Sequence, residues 1–151
     1  MTRQQKLLNY LVADINQDCD SYGMLETLLQ AIFPQLVERN TLEVATINSQ
    51  INELVVAIAE RMKRRSSILQ ALGITEHDKT STHSSMLRAL SLLPASERES
   101  ALTNWKTLHD LVFRTHKLNE RNGNLLAMQQ EILNSLIDQS DSSGIYRSPS
   151  Y

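Results

Sequence analysis

An all-α fold is the expectation for this chain, and three observations carry it. Gly and Pro number only 4 and 3 in 151 residues, too few punctuators for a sandwich, a barrel or a many-stranded sheet, all of which need frequent tight turns. Leu is abundant while aromatics make up 5%, the composition of long helices. Apolar residues recur at alternating steps of three and four, which keeps one stripe along one face of a helix. The expected architecture is a long antiparallel helical hairpin, a short connector helix, a long C-terminal helix in a coiled-coil-like bundle, and a flexible tail. A helical domain is expected over 1–137, divided as hairpin 2–73, loop and short helix 74–94, and long helix 96–137, with the tail at 138–151.

The first arm carries the stripe Leu25, Leu29, Ile32, Leu36. Gly23 and Pro34 are its two weak points, Gly23 as a break and Pro34 as a kink or early end; the expectation is a single bent arm. The polar triplet Glu38-Arg39-Asn40 marks the turn, with Asn40 placed to cap the next helix and Glu43 three residues on, as in a capping box. The stripe resumes at Val44, Ile47, Ile51, Leu54 and Ile58, and the second arm closes at Leu72-Gly73, where Gly suits the residue just past a helix end. Two arms of similar length joined by a short turn pack antiparallel. Residues 75–85 read as a polar loop. Met86, Leu87, Leu90 and Leu93 read as a short helix stopped by Pro94, and Ser96 with Glu99 as a capping box opening the last helix. That helix is expected to run unbroken through Asn122-Gly123, because its flanks are helical and not strand-like. From Asp138 onward five serines, Gly144 and Pro149 fall within fourteen residues, a disordered composition, although Ile145, Tyr146 and Tyr151 are larger than a solvating tail requires.

Charge and chemistry narrow the function. The formal net charge is −2, so no strong footprint for nucleic acid or an anionic membrane is present. The lone Cys19 fits a reducing compartment, and no signal-peptide core or long apolar span is evident; a cytoplasmic location is expected. Cys19 stands beside Asp18 and Asp20, which raise a thiol pKa and do not activate it. His109 and His116 lie two turns apart, about 10 Å, too far to share one zinc. No nucleophile elbow, phosphate loop or paired-Cys motif occurs, so no catalytic residues, no metal site and no cofactor are expected. The run Arg61-Met62-Lys63-Arg64-Arg65 reads as a solvated helix end offsetting the macrodipole, in preference to a phosphate-binding patch. In the last helix Leu118, Leu125 and Ile132 form one line, while Leu126, Met128 and Leu133 fall on others. That exceeds the stripe a packed helix needs, and it points to a second surface for other helices.

Trp105-Lys106-Thr107-Leu108, followed by Leu118-Asn119-Glu120-Arg121-Asn122-Gly123-Asn124-Leu125-Leu126, resembles the C-terminal half of the FlgN-type flagellar export chaperones. Asn119, Asn122 and Gly123 fill that family's N-x-x-N-G signature. Arg65, Ile68, Leu69, Leu72 and Gly73 resemble its upstream stretch, and Tyr146 sits where its tail Tyr would be. Arg147-Ser148-Pro149 departs from the family's tail pattern. The resemblance implies a cytoplasmic chaperone of the hook–filament junction proteins. It would bind their C-terminal helical regions, prevent premature assembly, and deliver them to the cytoplasmic domain of the export-gate membrane protein by type III secretion, with neither cofactor nor ATP. It implies export-gate docking through Tyr146; taken with the surplus apolar lines of the last helix, the client surface is expected at residues 119–136, named as Asn119, Asn122, Gly123, Leu126, Met128, Gln129, Leu133 and Leu136. The rival reading is a self-assembling structural coiled coil; weak homo-oligomers would use the same stripes. An enzyme using His109 or His116 is a distant third.

Overall fold

The computed structural model describes residues 1–74 and 82–143. Four helices follow one another: α1 over Arg3–Val37, α2 over Thr41–Ala71, α3 over Thr82–Leu90 and α4 over Ala95–Ser143. All are α-helices, and no strand occurs among the described residues.

α1 is the central helix, with α2 and α4 both packed along it. Its buried positions Leu8, Leu11, Ile15, Asp18, Leu25, Leu29, Ile32 and Leu36 keep a three–four alternation from end to end, with half-buried Tyr22 completing the series. These are the a and d sites of successive heptads. α2 repeats the pattern through half-buried Val44, Ile47, Ile51 and Leu54, then Ile58, Arg61, Arg65 and Ile68. Two apolar clusters result. The larger gathers Leu8, Leu11 and Ile15 with Ile68 and Leu69, with Met86, Ala89, Leu90 and Leu93, and with Ala101, Trp105 and Leu108. The smaller joins Leu25, Leu29 and Ile58, with Leu54 and Leu118 against them. Each fully buried Leu or Ile contributes about 1.5–3 kcal/mol, so the end that holds α3 is the heavily buried end.

The helix ends have local causes. Thr2 forms a reciprocal capping box with Gln5, its hydroxyl accepting the Gln5 N–H and its own N–H donating to Gln5 Oε1. At the turn, Asn40 N–H donates to Gln35 O at 2.9 Å and Arg39 N–H to Leu36 O at 3.2 Å, a Schellman closure with Arg39 in the left-handed region at φ 56°. Asn40 caps α2 as expected, its Oδ1 accepting the Glu43 N–H at 3.5 Å. α2 closes the same way: Gly73, at φ 78°, donates to Gln70 O, and Ile74 N–H to Leu69 O at 3.0 Å.

α1 is the single arm the sequence predicts, continuous through Gly23 and Pro34, because the a and d packing on both neighbours outweighs two unfavourable backbone positions. Other boundaries depart from the expectation. Residues 82–85, expected as loop, are the first turn of α3, where burying Met86, Ala89 and Leu90 in the larger cluster offsets a polar sequence and the buried Ser85 hydroxyl, which has no hydrogen-bond partner among the described residues. Residues 75–81 lie outside the described residues. α4 begins at Ala95, so Ser96 stands inside the helix and not at its cap; Pro94 O instead accepts the N–H groups of Glu97 and Arg98, each at 3.0 Å. α4 passes unbroken through Gly123, as expected, and reaches Ser143 rather than ending at 137.

Candidate functional site

α4 runs parallel to α1, and side-chain bonds define the register. Asn122 Nδ2 donates to Leu29 O at 3.1 Å, and Gln129 Nε2 to Leu36 O at 2.9 Å, both spanning 93 residues. An offset of 93 sets Leu118, Asn122, Leu125 and Gln129 beside Leu25, Leu29, Ile32 and Leu36, a and d sites of the two helices in step. Higher up the seam an ion pair joins Arg114, at a g site of α4, to Glu26, at an e site of α1, with 2.6 Å between Nε and Oε2. Pro34 lacks the N–H that would have reached Gln30 O. Near that gap Asn122 takes the neighbouring Leu29 carbonyl, and Arg121 lies 3.9 Å from the Phe33 ring centroid.

The register also shows where the seam runs out of partner. α1 ends at Val37, opposite Gln130 of α4. Roughly 14 further residues of α4, about 20 Å of helix, extend beyond the hairpin turn. Their heptad pattern does not stop there. Ile132 and Leu136 take the next d and a sites, Leu133 is at the e site between them, and all are about half exposed at 47–58%. Leu126 and Met128, at e and g sites, are exposed to the same degree. Leu118, Leu125 and Ile132 were expected to form one core-facing line; the first two are half-buried, but Ile132 is open because no hairpin lies opposite it.

The residues assigned to the client surface therefore divide by environment. Asn122 is buried and Gln129 half-buried, both bonded to α1 carbonyls. Asn119 and Gly123 are exposed, with open space where a Gly123 Cβ would stand. Leu126, Met128, Leu133 and Leu136 are exposed on the distal face. Tyr146 lies outside the described residues.

The heavily buried end holds polar chemistry that sequence reasoning placed in solvent. Arg61 and Arg65 are not part of a solvated helix end, being 14% and 9% exposed, whereas Arg64 is open to solvent at 55%. Asp18, fully buried, accepts from Arg61 and, at 2.7 Å, from Arg65. Asp14 takes a bidentate pair from Arg64 at 2.6 and 2.9 Å, and Arg61 Nη2 also donates to Ser21 at 2.5 Å. Arg65 then lies 5.7 Å from the Trp105 ring centroid, and the Trp105 indole N–H donates to His83 Nδ1 at 3.0 Å. One chain of contacts thus links α1, α2, α4 and α3. The signal was available in the sequence: Asp18 occupies a d site of α1, and Arg61 and Arg65 occupy the stripe of α2.

The network is structural in character. Burial, with Asp18 and Asp20 adding to it, raises the Cys19 thiol pKa, the wrong direction for a nucleophile. His116 pairs with Glu120 at 3.0 Å on the surface, and His109 lies against His83, ring centroids 5.1 Å apart. No group of three or more potential metal ligands occurs among the described residues, and no helix there is long and apolar enough to cross a membrane.

Comparison with known proteins agrees with this geometry at the family level. No curated protein and no solved structure gives a match. The family described as FlgN protein matches residues 1–144, nearly the whole length and all of the described helices. On that match the chain belongs to the FlgN family, the flagellar export chaperones its sequence resembles.

Proposed function

We propose that this chaperone acts in the cytoplasm and binds the C-terminal helical regions of the hook–filament junction proteins on the distal face of α4. There it prevents their premature assembly, and it then delivers them to the cytoplasmic domain of the export gate. The observation that supports the reading is the seam that outruns its partner: Leu133 and Leu136 are exposed beyond the end of α1, and Leu126 and Met128 are exposed beside its last turn, on a helix whose preceding a and d sites are buried or half-buried. A client terminus that becomes buried only on assembly is an amphipathic helix, and in transit its apolar face promotes aggregation. A helix laid on another helix's apolar face covers it reversibly. Ordering of the client on binding lowers net affinity while preserving specificity, which suits a carrier that must release. The tail residue Tyr146 is proposed as the gate contact, on the resemblance alone.

Two α4 variants test the client assignment. Leu126→Glu is expected to abolish co-purification of junction proteins from motile cells and leave the thermal melt near wild type. Leu118→Glu, placed in the cluster with Leu25, Leu29 and Ile58, is expected to lower the melt sharply, since a buried unpaired charge is costly. Undiminished client capture by Leu126→Glu would remove the distal face from the reading. Separately, Tyr146→Ala is expected to weaken gate binding of the loaded chaperone without affecting client binding; equal gate binding would exclude the docking role.

A further inference from the structure

We infer that the distal face of α4 accepts amphipathic helices without reading the charges along their flanks, so that one surface serves helices of different charge pattern. The inference rests on the proposal that this face is the client site and concerns how it selects.

Two stretches of the same α4 stripe supply the argument. Where α4 faces α1, two successive g sites carry charge: Arg114 pairs with Glu26 at an e site of α1, and Arg121 lies on Phe33. Flanking e and g charges are what normally set partner choice and orientation in helix pairs. From Leu126 onward the flanking sites are Leu126 and Met128, still beside the last turn of α1, and then Leu133 and Ser135 beyond its end, none of them ionisable. The acidic residues of that stretch, Glu131 and Asp138 at c sites and Asp141 at an f site, all stand off the a, d, e and g positions of the seam. The same helix thus pairs by charge with its permanent neighbour and offers only apolar and hydroxyl contact beyond it.

The occupant is a helix from another protein. The face continues the α1–α4 interface without a break in heptad register, so the ligand it fits is an apolar a/d stripe of the kind α1 presents. A second copy brings its own overhang attached to its own bundle. Two overhangs of about 20 Å, each roughly 10 Å across, cover about 400 Å² in total, well short of the ~1,200 Å² of a stable interface. A separate helical segment can also reach Leu126 and Met128 and the exposed Val37 and Leu42 at the same end of the bundle.

The test uses the full chain and two fluorescent peptides of about three heptads with identical Leu/Ile stripes, one with Lys at every e and g site and the other with Glu. Fluorescence anisotropy is expected to give Kd values within about 3-fold of each other, changing less than about 3-fold between roughly 0.05 and 0.5 M salt. Leu136→Asp should weaken both peptides equally, by at least about tenfold, with an unchanged melt. A preference above about tenfold for one charge pattern, or a steep salt dependence, would overturn the inference while leaving the client site in place. So would failure of both peptides to bind a chain that still captures junction proteins. Loss of client capture in Leu136→Asp without loss of either peptide would place the peptides elsewhere and overturn it too, as would a homodimer in sedimentation that Leu136→Asp dissolves.

Discussion

Asp18→Asn should be among the most destabilising single-atom-scale changes available in this protein. The Asp18 side chain has no solvent exposure and accepts from Arg61 and Arg65, whose side chains are 14% and 9% exposed. Replacing it with Asn removes the carboxylate bonded to Arg65 and turns an N–H donor toward guanidinium donors. Removing one partner of a buried pair costs about 3–5 kcal/mol, because the remaining charge stays desolvated and unpaired. Against a total stability of about 5–15 kcal/mol, that is a large fraction. The outer pair provides the scale: Arg114 and Glu26 are 54% and 22% exposed, and Glu26→Gln should cost about 1 kcal/mol or less. Urea unfolding followed by helical circular dichroism measures both. The double variant Asp18→Asn with Arg65→Met should recover part of the loss, since replacing both members of a buried pair is far less costly than removing one. A loss of 1 kcal/mol or less for Asp18→Asn would refute the argument and return the arginines to the role of a solvated helix end.

Three further outcomes are expected. Gly123→Ala should stabilise the chain by about 0.5–1 kcal/mol, since the site is mid-helix and a Cβ there meets open space; a lower melting temperature would show that Gly123 is needed for close approach. Arg39→Gly should gain up to about 1 kcal/mol by relieving a left-handed non-Gly residue, measured in the same urea titration; a loss would mean that Arg39 makes a stabilising interaction. Stability should fall as pH rises above 9.0, the ordinary thiol value, because the raised Cys19 pKa lets the folded chain hold a proton that the unfolded chain releases. Cys19→Ala should flatten that decline, and an unchanged slope would exclude the thiol as its source.

Much of the fold was legible because long helices announce themselves locally. The stripe over Leu25–Leu36, the Asn40 cap and Gly73 each report an interaction between residues within a few positions of one another, and each lies where its local chemistry puts it. The family signature around Asn122-Gly123 was equally readable, although the role of Asn122 was not: its partner, the Leu29 carbonyl, is 93 residues away. Ser96 misled because the helix starts two residues earlier, where the Pro94 carbonyl accepts the first N–H groups, and the polar start of α3 misled because the burial of Met86 outweighs propensity.

The sequence by itself determined which faces of the helices are apolar and where the chain turns. These follow from spacing and residue type, which are properties of a one-dimensional pattern. Only the tertiary structure decided which stretch of stripe is covered. Leu125 and Ile132 occupy equivalent heptad sites in α4, yet one is half-buried and the other open, because α1 ends at Val37 and α4 does not. Asp18 and Arg65 stand on the stripes of α1 and α2, but that they pair with each other, at 2.7 Å, follows only from how the two helices align. Burial is set by what lies across the interface, and that depends on helix lengths and register between segments far apart in the chain, which no local pattern contains.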